Sequence, residues 1–91
     1  MDYKMVYNLE ISDELDKKLK KLTKKDKKQL EIINKKVVQI LMEPYRFKPL
    51  RGDMHGARRV HIGKSFVLTY EIDESNKVVR LLDYDHHEKI Y

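Results

Sequence analysis

Polar and apolar residues alternate from Tyr3 to Leu9, so Tyr3, Met5, Tyr7 and Leu9 share one side of an extended segment, which predicts a first strand. The period then lengthens. Ile11, Leu15, Leu19 and Leu22 recur at spacings of four, four and three, the stripe of one helical face. Ser12 stands as N-cap, with Asp13 and Glu14 in the first turn, where the helix dipole favours acid. Thr23 is placed to cap a second helix, with Asp26 at its third position. Leu30, Ile33, Val37 and Leu41 form that helix's stripe, and Pro44 stops it after Glu43. So short a joint predicts an antiparallel helical hairpin.

Past Pro44 the texture changes. Tyr45 to Gly56 holds Pro49, Gly52 and Gly56 and reads as an irregular, basic connection. Arg58 to Ile62 alternates, with Val60 and Ile62 on one side and Arg59 and His61 on the other. Phe66 to Ile72 predicts a further strand, and Asp73-Glu74-Ser75-Asn76 is turn material. Lys77 to Tyr84 follows, where the pairs Val78-Val79 and Leu81-Leu82 suggest a strand covered on both faces. The expected architecture is α+β, in the order β-α-α-β-β-β, with the hairpin packed on one face of a mainly antiparallel sheet. At 91 residues, with no internal repeat, one domain over residues 1–91 is expected.

Composition narrows the chemistry. The absence of cysteine excludes a disulfide framework, a Cys-ligated zinc site and thiol catalysis. No apolar run is long enough to span a membrane, and the N-terminus lacks the apolar core of a signal peptide, so a cytoplasmic protein is expected. Twenty Lys and Arg against fifteen Asp and Glu give +5, which favours a polyanionic partner. Residues 1–50 hold thirteen bases and eight acids, so the first half accounts for the whole excess. Lys17 to Lys28 contains eight lysines and reads first as a solvated helical face. Arg46 to Lys64 is Arg-rich, mixed with His and set among glycines, a texture better suited to closing around a phosphate.

Four histidines are the acid–base candidates. His55 lies in the basic loop, where a histidine is usually just solvated. His61 shares a strand face with Arg59, a pattern equally compatible with a solvent-facing sheet surface. His86 and His87 sit in a polar tail that ends Ile90-Tyr91, a pair able to dock back on the sheet. No spacing matches a metal site, and no glycine-framed serine elbow is present. Cleavage of RNA by its own 2′-hydroxyl suits what remains, since it needs a base, an acid and cations around the phosphate, and no metal.

Lys48-Pro49-Leu50-Arg51-Gly52, Gly56-Ala57-Arg58-Arg59-Val60-His61-Ile62-Gly63, Leu68-Thr69-Tyr70-Glu71-Ile72 and His87 to Tyr91 together resemble the RelE/YoeB/YafQ superfamily. These are toxins of type II toxin–antitoxin systems, and the resemblance covers nearly the whole chain. It implies a RelE-like endoribonuclease that cuts translated mRNA at the ribosome without a cofactor. It also implies an acidic, helical RelB-like antitoxin that blocks the toxin in a higher-order hetero-oligomer. Residue by residue, Arg59 and His61 match basic positions of the second strand, His61 also matching a YafQ-like histidine. Lys48 holds the place before Pro-Leu, and His87 and Tyr91 match a terminal His-x-x-x-aromatic pair.

The resemblance thus implies a catalytic set of Arg59, His61, His87 and Tyr91, with Lys48, Arg51, Arg58 and His86 as RNA-binding residues. His61 or His87 would be the base; the other, or Tyr91, would be the acid. Two departures stand out. The third strand reads Phe66-Val67-Leu68-Thr69-Tyr70 where the family usually reads Tyr-Arg-Leu-Ile-Tyr, and Ser65 replaces a YafQ-like aspartate. The missing arginine leaves a second reading open: a weakened RelE-like protein that binds RNA or the ribosome and keeps its antitoxin surface. A generic basic nucleic-acid-binding domain is a third.

Overall fold

In the structure, a computed structural model that describes residues 6–49 and 56–90, the first strand is later and shorter than alternation suggests. β1 spans Asn8–Ile11 and pairs in parallel with β4 (Val78–His86), Leu9 opposite Val79 and Ile11 opposite Leu81. Tyr3 and Met5 lie outside the described residues. Ile11 is therefore the end of a strand and not the first position of the helical stripe. The reason is local. The Ser12 N–H continues the strand pairing by donating to the Leu81 carbonyl at 3.0 Å. Its Oγ accepts from the Leu15 N–H at 3.1 Å as the expected N-cap and donates to the Leu82 carbonyl at 2.6 Å. One residue thus closes β1, starts α1 (Asp13–Lys25) and ties both to β4.

The helical hairpin forms as expected, with one change of cap. Thr23 Oγ1 donates back to the Leu19 carbonyl inside α1, and Asp26 caps α2 (Lys27–Met42) by accepting from the Gln29 N–H at 3.0 Å. Thr23 lies too early because α1 runs on through two lysines before the chain turns. Helix α2 ends at Met42, just before Pro44. Its fully buried residues are Ile33 and Ile40, the latter outside the expected stripe, while Leu30, Val37 and Leu41 are half-buried.

β2 (Ala57–Ile62), β3 (Phe66–Asp73) and β4 form the antiparallel meander, and the sheet order is β1-β4-β3-β2. The helices pack on the face that carries Val60, Ile62, Leu68, Tyr70, Val79, Leu81 and Tyr84, which with Leu15, Ile33 and Ile40 make the core. The expected β4 stopped at Tyr84, but pairing continues to His86, opposite Phe66. Between Thr69 opposite Asp83 and Tyr70 opposite Leu81 the register shifts, leaving Leu82 as a bulged residue. The bulge explains the doubled apolar pairs. It resets the alternation so that Val79, Leu81 and Tyr84 all face the helices despite uneven spacing. The other face is not bare, because Val67 and Thr69 are 0% and 4% exposed. After β4 the chain makes one helical turn, α3 (His87–Ile90), that touches β3 and β4.

Candidate functional site

β2 is an edge strand, and the segment before it covers that edge. The Arg59 N–H donates to the Lys48 carbonyl at 3.0 Å, and Pro49 forms an isolated antiparallel bridge with Arg58. Arg58 fixes this segment from the other side. Its guanidinium donates to the carbonyls of Phe47 at 2.5 Å and Tyr45 at 3.3 Å, and lies 5.2 Å from the centre of the Tyr45 ring. Arg58 therefore acts as a strut for the loop, a role that its position on a basic strand did not announce.

The covered edge frames a groove of about 360 Å³ lined by Lys36, Arg46, Phe47, Lys48, Arg59, Val60 and His61. Phe47 and Val60 are its apolar residues. Arg59 is half-buried and His61 is exposed, both on the sheet face away from the helices. Two residues of strand separate them by about 6.5–7 Å. The groove thus brings together Arg59, His61 and Lys48, and adds Lys36 and Arg46. Lys36 falls between Ile33 and Ile40 on α2, so the helix's buried stripe aims its stem along the same side, a signal readable from spacing. Arg46 is held near the Phe47 ring, 5.8 Å from its centre, and 3.8 Å from Glu43.

His86 and His87 lie elsewhere on the same end of the sheet. The His87 N–H donates to the Ser65 carbonyl at 2.9 Å, so the tail is tied to the β2–β3 turn. The two imidazoles are 5.0 Å apart, and His86 packs edge-on to Phe66 at 5.6 Å. His87 Nδ1 is buried, with no hydrogen-bond partner among the described residues. Because β3 stands between β2 and β4, the His61 groove does not extend to His87. Arg51, His55 and Tyr91 lie outside the described residues.

Carboxylates border the same sheet face, and Lys18 pairs with them. Across the strands Arg59 is in line with Thr69 and Asp83, and His61 with Val67 and Asp85, about 10 Å apart from β2 to β4. Lys18 reaches from α1 over the part of β4 that β1 leaves unpaired, at 2.7 Å from Asp83, 3.0 Å from Asp85 and 3.1 Å from the Tyr84 carbonyl. The His86 N–H and then Lys18 hold the Asp85 carboxyl below its usual range. Burial pulls the Lys18 ammonium down, but the two carboxylates outweigh it and raise it.

A basic groove, a paired carboxylate edge and a tail clamped to a β-turn sit on a sheet built like those of known toxins. The sequence profile of the ParE-like toxins of type II bacterial toxin–antitoxin systems matches residues 9–91. The chain belongs to this family. A Methanosarcina mazei protein of uncharacterised role is 55% identical over 86 residues, covering 94% of this chain and 100% of that one. A Methanocaldococcus jannaschii protein named as a candidate toxin, RelE4, is 49% identical over 86 residues, covering 94% and 92%.

Among solved structures, the YoeB/ParE toxin from Agrobacterium tumefaciens matches with a TM-score of 0.80 at 19% identity, over 88% of this chain and 98% of that one. A chain of the RelBE2 toxin–antitoxin complex from Mycobacterium tuberculosis matches with a TM-score of 0.73 at 25% identity, over 89% and 98%. The RelE-like resemblance and the α+β fold are thus shown together. In this ParE-like toxin the position of the usual third-strand arginine is Val67, fully buried between His61 and Asp85. No helix among the described residues is long and apolar enough to cross a membrane.

Proposed function

We propose that this ParE-like toxin is a metal-independent endoribonuclease that cuts translated mRNA on the ribosome, in the cytoplasm, and is held inactive by a cognate antitoxin. The groove carries the proposal: Lys36, Arg46, Lys48, Arg59 and His61 line one concave site, and among the described residues its lining includes no carboxylate. A phosphodiester entering it meets cations on several sides, the arrangement that stabilises a doubly charged phosphorane-like transition state. In the reaction the 2′-oxygen bonds to the adjacent phosphorus, its proton passing to a base, and the bond to the 5′-oxygen breaks as an acid protonates it. The products are a 2′,3′-cyclic phosphate and a 5′-hydroxyl. Arg59 holds the phosphate charge. His61 takes one proton-transfer role, and His87 or Tyr91 takes the other once the tail is drawn over the sheet face by bound RNA.

The antitoxin is acidic and helical, complementing the +5 charge, and the complex is a higher-order hetero-oligomer. The RelBE2 match, itself a toxin–antitoxin complex, supports such a partner. Val67 favours one other reading. A buried valine where relatives of this type carry arginine suits a protein that occupies the ribosome and is sequestered by antitoxin but cleaves weakly or not at all. Purified toxin added to translating ribosomes separates the two, with mRNA ends mapped and peptide synthesis followed. New 5′-hydroxyl ends that vanish with Arg59→Ala support the nuclease. Arrested synthesis on intact mRNA supports the second reading.

A further inference from the structure

A second cavity, of about 330 Å³, opens on the helical side between the start of α2 and the β2–β3 turn. Its walls are Leu22, Ile62, Phe66 and Tyr84, and its polar groups come from Asp26, Gln29, Lys64 and Ser65. The apolar part is aromatic and flat. Phe66 and Tyr84 stack with ring centres 4.9 Å apart and planes at 10°, and the Gln29 amide N–H donates to the Tyr84 hydroxyl at 2.7 Å, fixing both. That bond also orients the rest of the Gln29 amide. Its Oε1 faces Gly63, 3.7 Å from where a Cβ there would stand, and accepts from no donor among the described residues.

The other polar groups are equally unoccupied. Asp26 uses Oδ1 to cap α2, which leaves Oδ2 without a described donor, and Lys64 and Ser65 have no described side-chain partner. A concave, mostly apolar pocket with a few convergent unpaired polar groups is the form of a small planar ligand site, and this volume lies at the low end of the roughly 300–1,000 Å³ such sites occupy.

We infer that this cavity is a nucleobase pocket selective for guanine. This rests on the RNA-cleaving reading above and deepens it, because the pocket shares its wall with the histidine tail, on the sheet face opposite Arg59 and His61. Ile62 follows His61 in β2, Ser65 accepts the His87 N–H, and Phe66 packs against His86. An RNA that passes over the β2–β3 turn from the Arg59 face can place a base against the Phe66 side with its edge toward α2. Two acceptors, Asp26 Oδ2 and Gln29 Oε1, beside one donor, Lys64 Nζ, read an edge with two N–H donors beside a carbonyl. Guanine presents that edge through N1–H, N2–H and O6. Adenine, cytosine and uracil each place an acceptor where this pocket has one of its own, and lose a bond.

The test is an NMR titration of isotope-labelled toxin with 5′-GMP, AMP, CMP, UMP and inorganic phosphate in separate arms. GMP is expected to shift the amides of Gln29, Gly63, Lys64 and Phe66 at about one-tenth of the concentration AMP requires, the effect of one or two net hydrogen bonds. Phosphate alone is expected to leave them unmoved. Asp26→Ser keeps a capping oxygen on α2 and removes an acceptor, so GMP and AMP are expected to become equal with the fold intact. Lys64→Ala, at the exposed rim, is expected to weaken GMP several-fold. Equal response to all four nucleotides, shifts outside the cavity, or a phosphate response matching that of GMP would overturn the inference. No arm needs cleavage. A toxin that binds GMP here and cuts no RNA defeats the nuclease reading alone, and one that cuts RNA without these shifts defeats the pocket alone.

Discussion

Lys18 on α1 lies 2.7 Å from Asp83 on β4, and the same ammonium reaches Asp85 at 3.0 Å. The contact covers a strand edge that the short β1 leaves unpaired, so the tail bearing His86 and His87 begins from a fixed carboxylate pair. Side chains here are about one-third exposed, so solvent screens the attraction. Lys18→Met is expected to cost about 1 kcal/mol, because it also leaves two carboxylates facing each other. The Asp85 carboxyl is held below its ordinary 3.8, so its stabilisation is present at neutral pH and is lost as pH falls below about 4. Lys18 is raised above 10.5, so its share fades only above that value. Chemical denaturation between pH 3 and 7 checks this: the variant should lose less stability on acidification than the parent, and parallel curves would refute the assignment.

Tyr70 is wholly buried, and its hydroxyl donates to the Pro44 carbonyl at 2.6 Å, joining the centre of β3 to the end of α2. Burial pushes the phenol up to about 12, with Arg58 pulling weakly the other way. The unfolded chain releases this proton near 10, so the contribution is full below pH 10 and is lost as pH rises from about 10 to 12. Tyr70→Phe leaves the carbonyl without that donor and should cost about 1–2 kcal/mol, lowering Tm by about 4–12 °C. Calorimetry decides it, and an unchanged Tm would mean that water replaces the bond freely.

The sequence was most legible where period and burial agree. Ser12 as N-cap, the two helices, the stop before Pro44, and the opposed faces of Val60 and Arg59 all follow from local rules. The misreadings have tertiary causes. Alternation beginning at Tyr3 could not reveal that strand pairing reaches Ile11, because the partner is Leu81, seventy residues away. Thr23 and Asp26 both suit a cap, and the choice depends on where the hairpin turns. The bulge at Leu82 is invisible to periodicity because it resets it. Of the site, Arg46, Lys48, Arg59 and His61 read as one basic region along the chain; Lys36 lies on another element, and the strut role of Arg58 emerges only from the carbonyls it holds.

The two lysine-rich regions should differ in what they bind. Lys48 lines the groove, whereas Lys17 is an exposed residue of α1. Lys48→Gln should weaken binding to RNA or ribosomes and lower the slope of log affinity against log salt by about 1, the signature of one lost phosphate contact. Lys17→Gln should do less on both counts. Filter binding across a salt series measures this, and equal losses would move the RNA path onto the helices.

Arg59 and His61 share a groove, while His87 follows β4, two strands from β2, and is tied to the Ser65 carbonyl, and this separation makes the tail the most informative place to cut. Arg59→Ala removes a cation from the phosphate site and should slow cleavage by about 100-fold or more, with ribosome binding little changed because Lys36, Arg46 and Lys48 remain. His61→Ala should match it if this imidazole transfers a proton, since such transfer contributes about 10²–10⁴. His87 separates two arrangements. Its Nδ1 is buried and unpartnered among the described residues, so substitution by Ala removes an orphaned polar atom and should not destabilise the fold much. A fall of about 100-fold in His87→Ala at unchanged Tm would therefore mean that the tail moves to the RNA during turnover. Near-parental cleavage by both His87→Ala and Tyr91→Phe would confine the chemistry to the β2 groove, with His61 alone handling the protons.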